Sequence, residues 1–130
     1  MILAFLTPSL ALRIDRMEGR EFEEFLGEVF DRAGYKVEVT QASGDFGADL
    51  LIEDESGYRI AVQAKRYNGK VGLEAVQQVA AAVPFYGVDE GWVVTNSVYT
   101  EAAYQLAEPN RVRLIAREEL FAFAKEIGVR

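Results

Sequence analysis

Between positions 20 and 33 the apolar residues Phe22, Phe25, Leu26, Val29, Phe30 and Ala33 return every three or four places. That spacing gathers them on one face of an α-helix, and Gly34 supplies a stop. The rhythm then changes. Residues 35–41 (YKVEVTQ) alternate as a half-buried strand. Residues 48–53 and 58–66 form two further strands, joined by the turn residues 54–57. Before them, the two glycines of ASGDFG at 42–47 mark a loop in which Asp45 can close an Asx turn. Helical spacing resumes over 73–83 and closes near Pro84. GWVVT at 91–95 is a short buried strand. Residues 100–107 form a helix with Thr100 as N-cap and Pro109 beyond it. A strand at 112–115 and a helix at 117–126 complete the series. The order α-β-β-β-α-β-α-β-α predicts an α/β fold: a mixed β-sheet flanked by helices, with a meander first and right-handed crossovers after it.

Composition narrows the chemistry. The chain has 130 residues, enough for one domain. It contains neither cysteine nor histidine. Disulfides, thiolate metal sites, the usual zinc hydrolase centres and histidine general bases are thereby excluded. Acid–base or metal chemistry falls to Asp, Glu, Lys, Tyr and water, and hard oxygen ligands favour Mg²⁺ or Mn²⁺. The formal net charge of −7 counts against nucleic acid as a partner. Its distribution counts the other way: residues 56–73 hold Arg59, Lys65, Arg66 and Lys70 and no acid. Arg13, Arg16 and Arg20 form a second, mixed cluster.

The first twelve residues, MILAFLTPSLAL, are apolar. As a helix they would span about 18 Å, short of a hydrocarbon core of roughly 30 Å. They lack a basic flank and contain Pro8, which argues against a signal peptide. Two readings stay open: an element packed on the domain or on a second copy, and the remnant of a membrane anchor. The expected division is an apolar segment at 1–18 and a folded domain at 19–130, cytoplasmic or tethered through a segment upstream of residue 13.

The hairpin concentrates the chemistry. Gln63 and Lys65 project from the same face of their strand. If the hairpin turns about residue 56, Asp49 lies opposite Gln63, and directly opposed Cβ atoms are about 5 Å apart. A one-residue slip would send Asp49 to the other face. In the first register a carboxylate, an amide oxygen and an ammonium converge. Such a set suits phosphodiester hydrolysis: Asp49 and Gln63 hold a divalent cation, and Lys65 orients water or stabilises developing charge. Glutamine in place of a carboxylate lowers the negative charge by one unit, so metal binding leans on other acids. On a wheel of about 100° per residue, Glu23 falls at the rim of the first helix's apolar face, and Glu24 points away. The same wheel puts Gln77 at the rim of the second helix and Gln78 away from it. Asp45 is a further candidate for contacting metal or DNA. Taken singly, Asp49 also reads as a strand-end turn residue, and Glu23 or Gln77 as plain helix surface.

The segments FE at 22–23, GYKVEVT at 34–40, SGDFGADLL at 43–51 and VQAKRY at 62–67 resemble the catalytic domain of Mrr-type restriction endonucleases. These belong to the PD-(D/E)xK nuclease superfamily. The likeness continues through VGLEAVQQV at 71–79, VVTN at 93–96 and REEL at 117–120. It implies a restriction-endonuclease-like fold and a nuclease catalytic domain at 19–130. It also implies a metal-binding role for Asp49, a catalytic role for Lys65, and an acidic first-helix residue in Glu23. Gln63 stands where the wider superfamily usually has Glu, and Mrr-like proteins are similar in having Gln there. The implied cofactor is Mg²⁺ or Mn²⁺ and the implied partner is DNA, contacted by Asp45, Arg66, Lys70 and Gln77. A homodimer is expected, because a double-strand cut needs two sites. Archaeal Holliday junction resolvases are similar in size and layout, with Glu at the Gln63 position, which keeps a structure-specific nuclease as an alternative. A non-catalytic binding module on the same fold, consistent with the acidic charge and with Gln63, is another. Mrr-type enzymes usually carry a separate DNA-recognition domain, for which these 130 residues leave no room. Some members have membrane helices upstream of the matching region.

Overall fold

The computed structural model describes residues 9–40 and 46–129. Five strands form one sheet in the order of the chain: β1 (Lys36–Val39), β2 (Leu50–Glu53), β3 (Arg59–Lys65), β4 (Glu90–Thr95) and β5 (Val112–Ile115). β1, β2 and β3 are antiparallel neighbours. β3, β4 and β5 are parallel. The helices are α1 (Leu10–Asp15), α2 (Gly19–Arg32), α3 (Leu73–Tyr86), α4 (Glu101–Ala107) and α5 (Arg117–Glu126). This is the mixed, helix-flanked sheet that the periodicity predicts.

Strand alternation divides the core in two. Leu50, Ile52, Ile60, Val62, Trp92 and Val94 face α2 and α5. Leu51, Ala61 and Val93 face α3 and α4. Odd-numbered positions of β3 therefore point toward α3. Glycine permits the close fit there, since a Cβ on Gly91 would stand 3.1 Å from the Val79 side chain. Tyr99 is buried beneath the parallel strands, and its hydroxyl donates to the carbonyls of Val93 and Ile115. Burial pushes its phenol well above the usual tyrosine range.

Three expectations change in detail. The helix expected to close at Pro84 runs on to Tyr86. A proline in the last turn removes one hydrogen bond without reaching the helix interior. Gly87, left-handed at φ 66°, ends the helix, and Val88 N–H returns to the Val83 carbonyl. The first strand spans Lys36–Val39, shorter than expected; Thr40 still pairs with the Asp49 carbonyl through its N–H and hydroxyl, and residue 41 lies outside the described residues. Ahead of the first expected helix stands α1, capped by Ser9. Its Ile14 is fully buried in the α2 core. Asp15 takes two hydrogen bonds from the Arg117 guanidinium, at 2.8 and 3.0 Å, and one from Asn96. Residues 10–15 of the apolar segment thus pack on the domain, while residues 1–8 lie outside the described residues. Among the described residues no helix is long and apolar enough to cross a membrane.

Candidate active site

The β2–β3 ladder pairs Leu50 with Val62, Leu51 with Ala61 and Ile52 with Ile60. This is the register that the turn at 54–57 implies. Asp49 is the next residue out. Its N–H donates to the Val62 carbonyl at 2.8 Å, and its Oδ2 accepts from Ala64 N–H at 2.7 Å. These two bonds bracket Gln63, so Asp49 is held beside it by backbone on either side. Both residues are 7% exposed. The Asx-like grip on Ala64 also replaces a ladder bond that β2, starting at Leu50, does not provide.

Gln63 carries the informative atom. Its Nε2 donates to Gln78 Oε1 of α3 at 3.3 Å. Its Oε1 is buried without a hydrogen-bond partner. A buried carbonyl left unsatisfied costs about 1–3 kcal/mol, and buried polar atoms are ordinarily paired. An amide oxygen in this state next to a carboxylate is a donor prepared for a cation. The donor chemistry, oxygen only, fits Mg²⁺ or Mn²⁺. Asp49 and Gln63 are the residues that would hold it.

Lys65 follows two residues along β3, on the same face. It opens into a groove of about 700 Å³ whose lining includes Tyr67, Lys70, Gly72, Glu74 and Gln78. The groove's wall is built by pairing outside the sheet: Val71 N–H bonds to the Val98 carbonyl and Thr100 N–H to the Val71 carbonyl. Gly72 then starts α3 in extended geometry, so the helix's first N–H groups and partial positive charge face the groove. Lys65 and Lys70 add two cations against one acid, Glu74.

Glu23 is half-buried at the rim of α2, as the wheel predicts. However, α2 covers the sheet face opposite to the one that carries Gln63 and Lys65. Among the described residues no group of three or more aspartates and glutamates is gathered as a metal site. Lys70 is exposed in the groove. Arg66 turns elsewhere: its guanidinium donates to the Asp15 carbonyl and to Asn68. Asp45 lies outside the described residues.

Gln77 is corrected by Gln78. Weighting the larger apolar side chains, Leu73 among them, brings Gln77 to the rim of the helix. In the fold Leu73 is exposed, and the buried face is set by Ala75, Val76, Val79 and Ala82. At about 100° per residue that face puts Gln78 at its edge and Gln77 nearly opposite.

Two further residues escaped the sequence reading. Gly47 (φ 90°) lies so close to α3 that a Cβ would sit 2.1 Å from the Gln78 carbonyl oxygen. It fastens the loop before Asp49 to the helix that carries Gln78. Asn96 is buried; its Oδ1 accepts from Tyr67 N–H at 2.7 Å, while Asp15 and Arg117 occupy its other groups. The VVTN run marked its position without indicating this clamp on the loop that follows Lys65.

Known proteins share this fold. The chain is 26% identical over 97 residues to the uncharacterized protein y4cE of Sinorhizobium fredii, covering 71% of this chain and 25% of that protein. It therefore spans about a quarter of the length of this curated relative. The DNA modification-dependent restriction endonuclease AspBHI superposes with a TM-score of 0.70 at 19% identity, over 97% of this chain and 38% of AspBHI. The MspJI restriction endonuclease, solved with a 27-mer oligonucleotide, gives 0.63 at 23% identity, over 89% of this chain and 29% of MspJI. These likenesses establish a restriction-endonuclease-like fold. The Mrr catalytic-domain model, described as a restriction endonuclease, matches residues 14–124, nearly all of the chain. With that match and the fold in agreement, the chain belongs to the Mrr-type restriction endonuclease family.

Proposed function

We propose that this chain is a Mg²⁺- or Mn²⁺-dependent endodeoxyribonuclease that hydrolyses phosphodiester bonds in duplex DNA. The observation that carries the reading is the buried, unpartnered Gln63 Oε1 beside Asp49. Asp49 and Gln63 would supply the protein's oxygens to the cation, with further positions left to water and phosphate, as Mg²⁺ commonly accepts. When bound, the cation neutralises charge on the scissile phosphate and lowers the pKa of water. Lys65 holds the attacking water or stabilises the charge that develops. Lys70 and the N-terminus of α3 receive an adjacent phosphate. A pair of copies would place one site on each strand of a duplex.

AspBHI and MspJI extend well beyond the part this chain matches, so dependence on DNA modification is assigned to those proteins alone. The test is a panel of methylated duplex, plain duplex and four-way junction, incubated with the pure protein and Mg²⁺ or Mn²⁺. Duplex cutting is expected. Junction cutting without duplex cutting would instead indicate a structure-specific nuclease of the resolvase type. Binding without cutting of any substrate would indicate a non-catalytic module.

A further inference from the structure

Phe46 and Phe85 stack with ring centroids 4.2 Å apart and planes 25° from parallel. Both are large apolar residues left in water, at 59% and 58% exposure. Phe46 also sits at φ 47°, a left-handed backbone uncommon for a bulky side chain. The adjoining Gly47 lies against the Gln78 carbonyl. Phe85 also meets Tyr86 edge-on, with centroids 4.9 Å apart, yet both phenylalanine rings stay more than half exposed.

Their position relates them to the site. Phe46 stands three residues before Asp49. Gln78 and Phe85 are seven residues apart on α3, two turns and about 11 Å, and so lie on the same side of the helix. Along α3 the order is the basic groove at its start, then Gln63 and Gln78, then the aromatic pair. The interval from Gln78 to Phe85 equals about three stacked nucleotides at 3.4 Å each. A cationic track at one end and exposed π-faces at the other is the combination that holds unpaired nucleic acid.

We propose that Phe46 and Phe85 form a stacking platform for a nucleobase displaced from the helix a few nucleotides from the scissile phosphate. The site would then favour DNA that is locally unpaired, such as a bulge or a frayed step, where extruding a base costs least. The proposal deepens the nuclease reading and rests on it.

The test is anisotropy binding, without divalent metal, of three labelled DNAs: a paired duplex, the same duplex with one unpaired 2-aminopurine, and the single strand. Phe46→Ala/Phe85→Ala should weaken the bulged and single-stranded probes by about ten-fold or more. Paired duplex should change by no more than about two-fold, since its bases stay stacked. The wild type should alter the 2-aminopurine emission on binding and the double variant should not, while Phe46→Trp should behave as wild type. Equal losses on all three probes, or none, would overturn the platform. So would conversion of a wild-type dimer to monomer by the double variant in sedimentation, which would assign the pair to a second copy. Failure of the wild type to bind the bulged and single-stranded probes would overturn the platform, and cleavage in Mn²⁺ tests the nuclease reading separately. Normal binding that ignores the substitutions would sink the platform alone.

Discussion

At the scale of single residues, Gln63 is the most exacting position. Its amide nitrogen has a partner and its oxygen does not, an arrangement that costs stability unless a ligand completes it. Function and stability should therefore separate on substitution. Gln63→Met keeps the length and removes the orphaned oxygen. Thermal unfolding should stay within about 1 kcal/mol of the wild type or rise, while Mn²⁺ binding measured by calorimetry should disappear. A loss of stability with metal binding retained would show that the amide serves packing. Alternation alone put Gln63 and Lys65 on one face, and the short turn fixed Asp49 beside them. Period-two geometry leaves little choice once the turn is located. Gln78 was hidden because helix faces are inferred from side-chain size, and α3 buries alanines in preference to Leu73.

Elements add what residues cannot. α1 is one and a half turns long and could not persist alone. It is held by Ile14 in the core and by Asp15 on the Arg117 guanidinium, with Asn96 beside them. The hydrogen bonds from Arg117, joined by that from Asn96, hold the Asp15 carboxyl below the usual carboxylate range. A depressed folded value means that the contribution is complete above the unfolded pKa of about 3.9 and is lost as pH falls through the lowered value. Wild type should thus exceed Asp15→Asn in urea midpoint at pH 7, and the gap should close as the pH is taken from 5 toward 2. A gap independent of pH would place the effect of the substitution outside the ion pair. This clamp was invisible in the sequence because its partners are 81 and 102 positions apart. The same holds for Gly47 against Gln78: a turn signal marks the glycine, and only the fold shows the backbone that excludes a side chain. Pro84 illustrates the reverse case. It is a reliable stop in a helix interior, but it was tolerated because it falls in the last turn.

For the whole molecule, net charge and local charge point in opposite directions. The chain is acidic at −7, yet the groove beside the site carries Lys65 and Lys70 and the start of α3. Arg66, which composition grouped with them, is engaged by Asp15 and Asn68. Only two lysines are left for phosphate in this groove, so binding should respond weakly to salt. A plot of log affinity against log salt should have a slope of about −2, and Lys70→Ala should reduce it by about one. A slope several times steeper would locate the DNA on another surface. The fold class was readable throughout because each period, turn and cap agreed with its neighbours. Net charge misleads because it sums over surfaces that DNA never meets.

Asp49, Gln63 and Lys65 are proposed to cut a phosphodiester bond together with a divalent cation. The most direct measurement is single-turnover cleavage of end-labelled DNA in Mn²⁺ by the wild type, Asp49→Ala and Lys65→Ala. The wild type should cut, and each variant should fall by about 100-fold or more while keeping its fold by circular dichroism. A wild type that cuts no DNA with Mg²⁺ or Mn²⁺, or an Asp49→Ala protein that cuts at the wild-type rate, would contradict it.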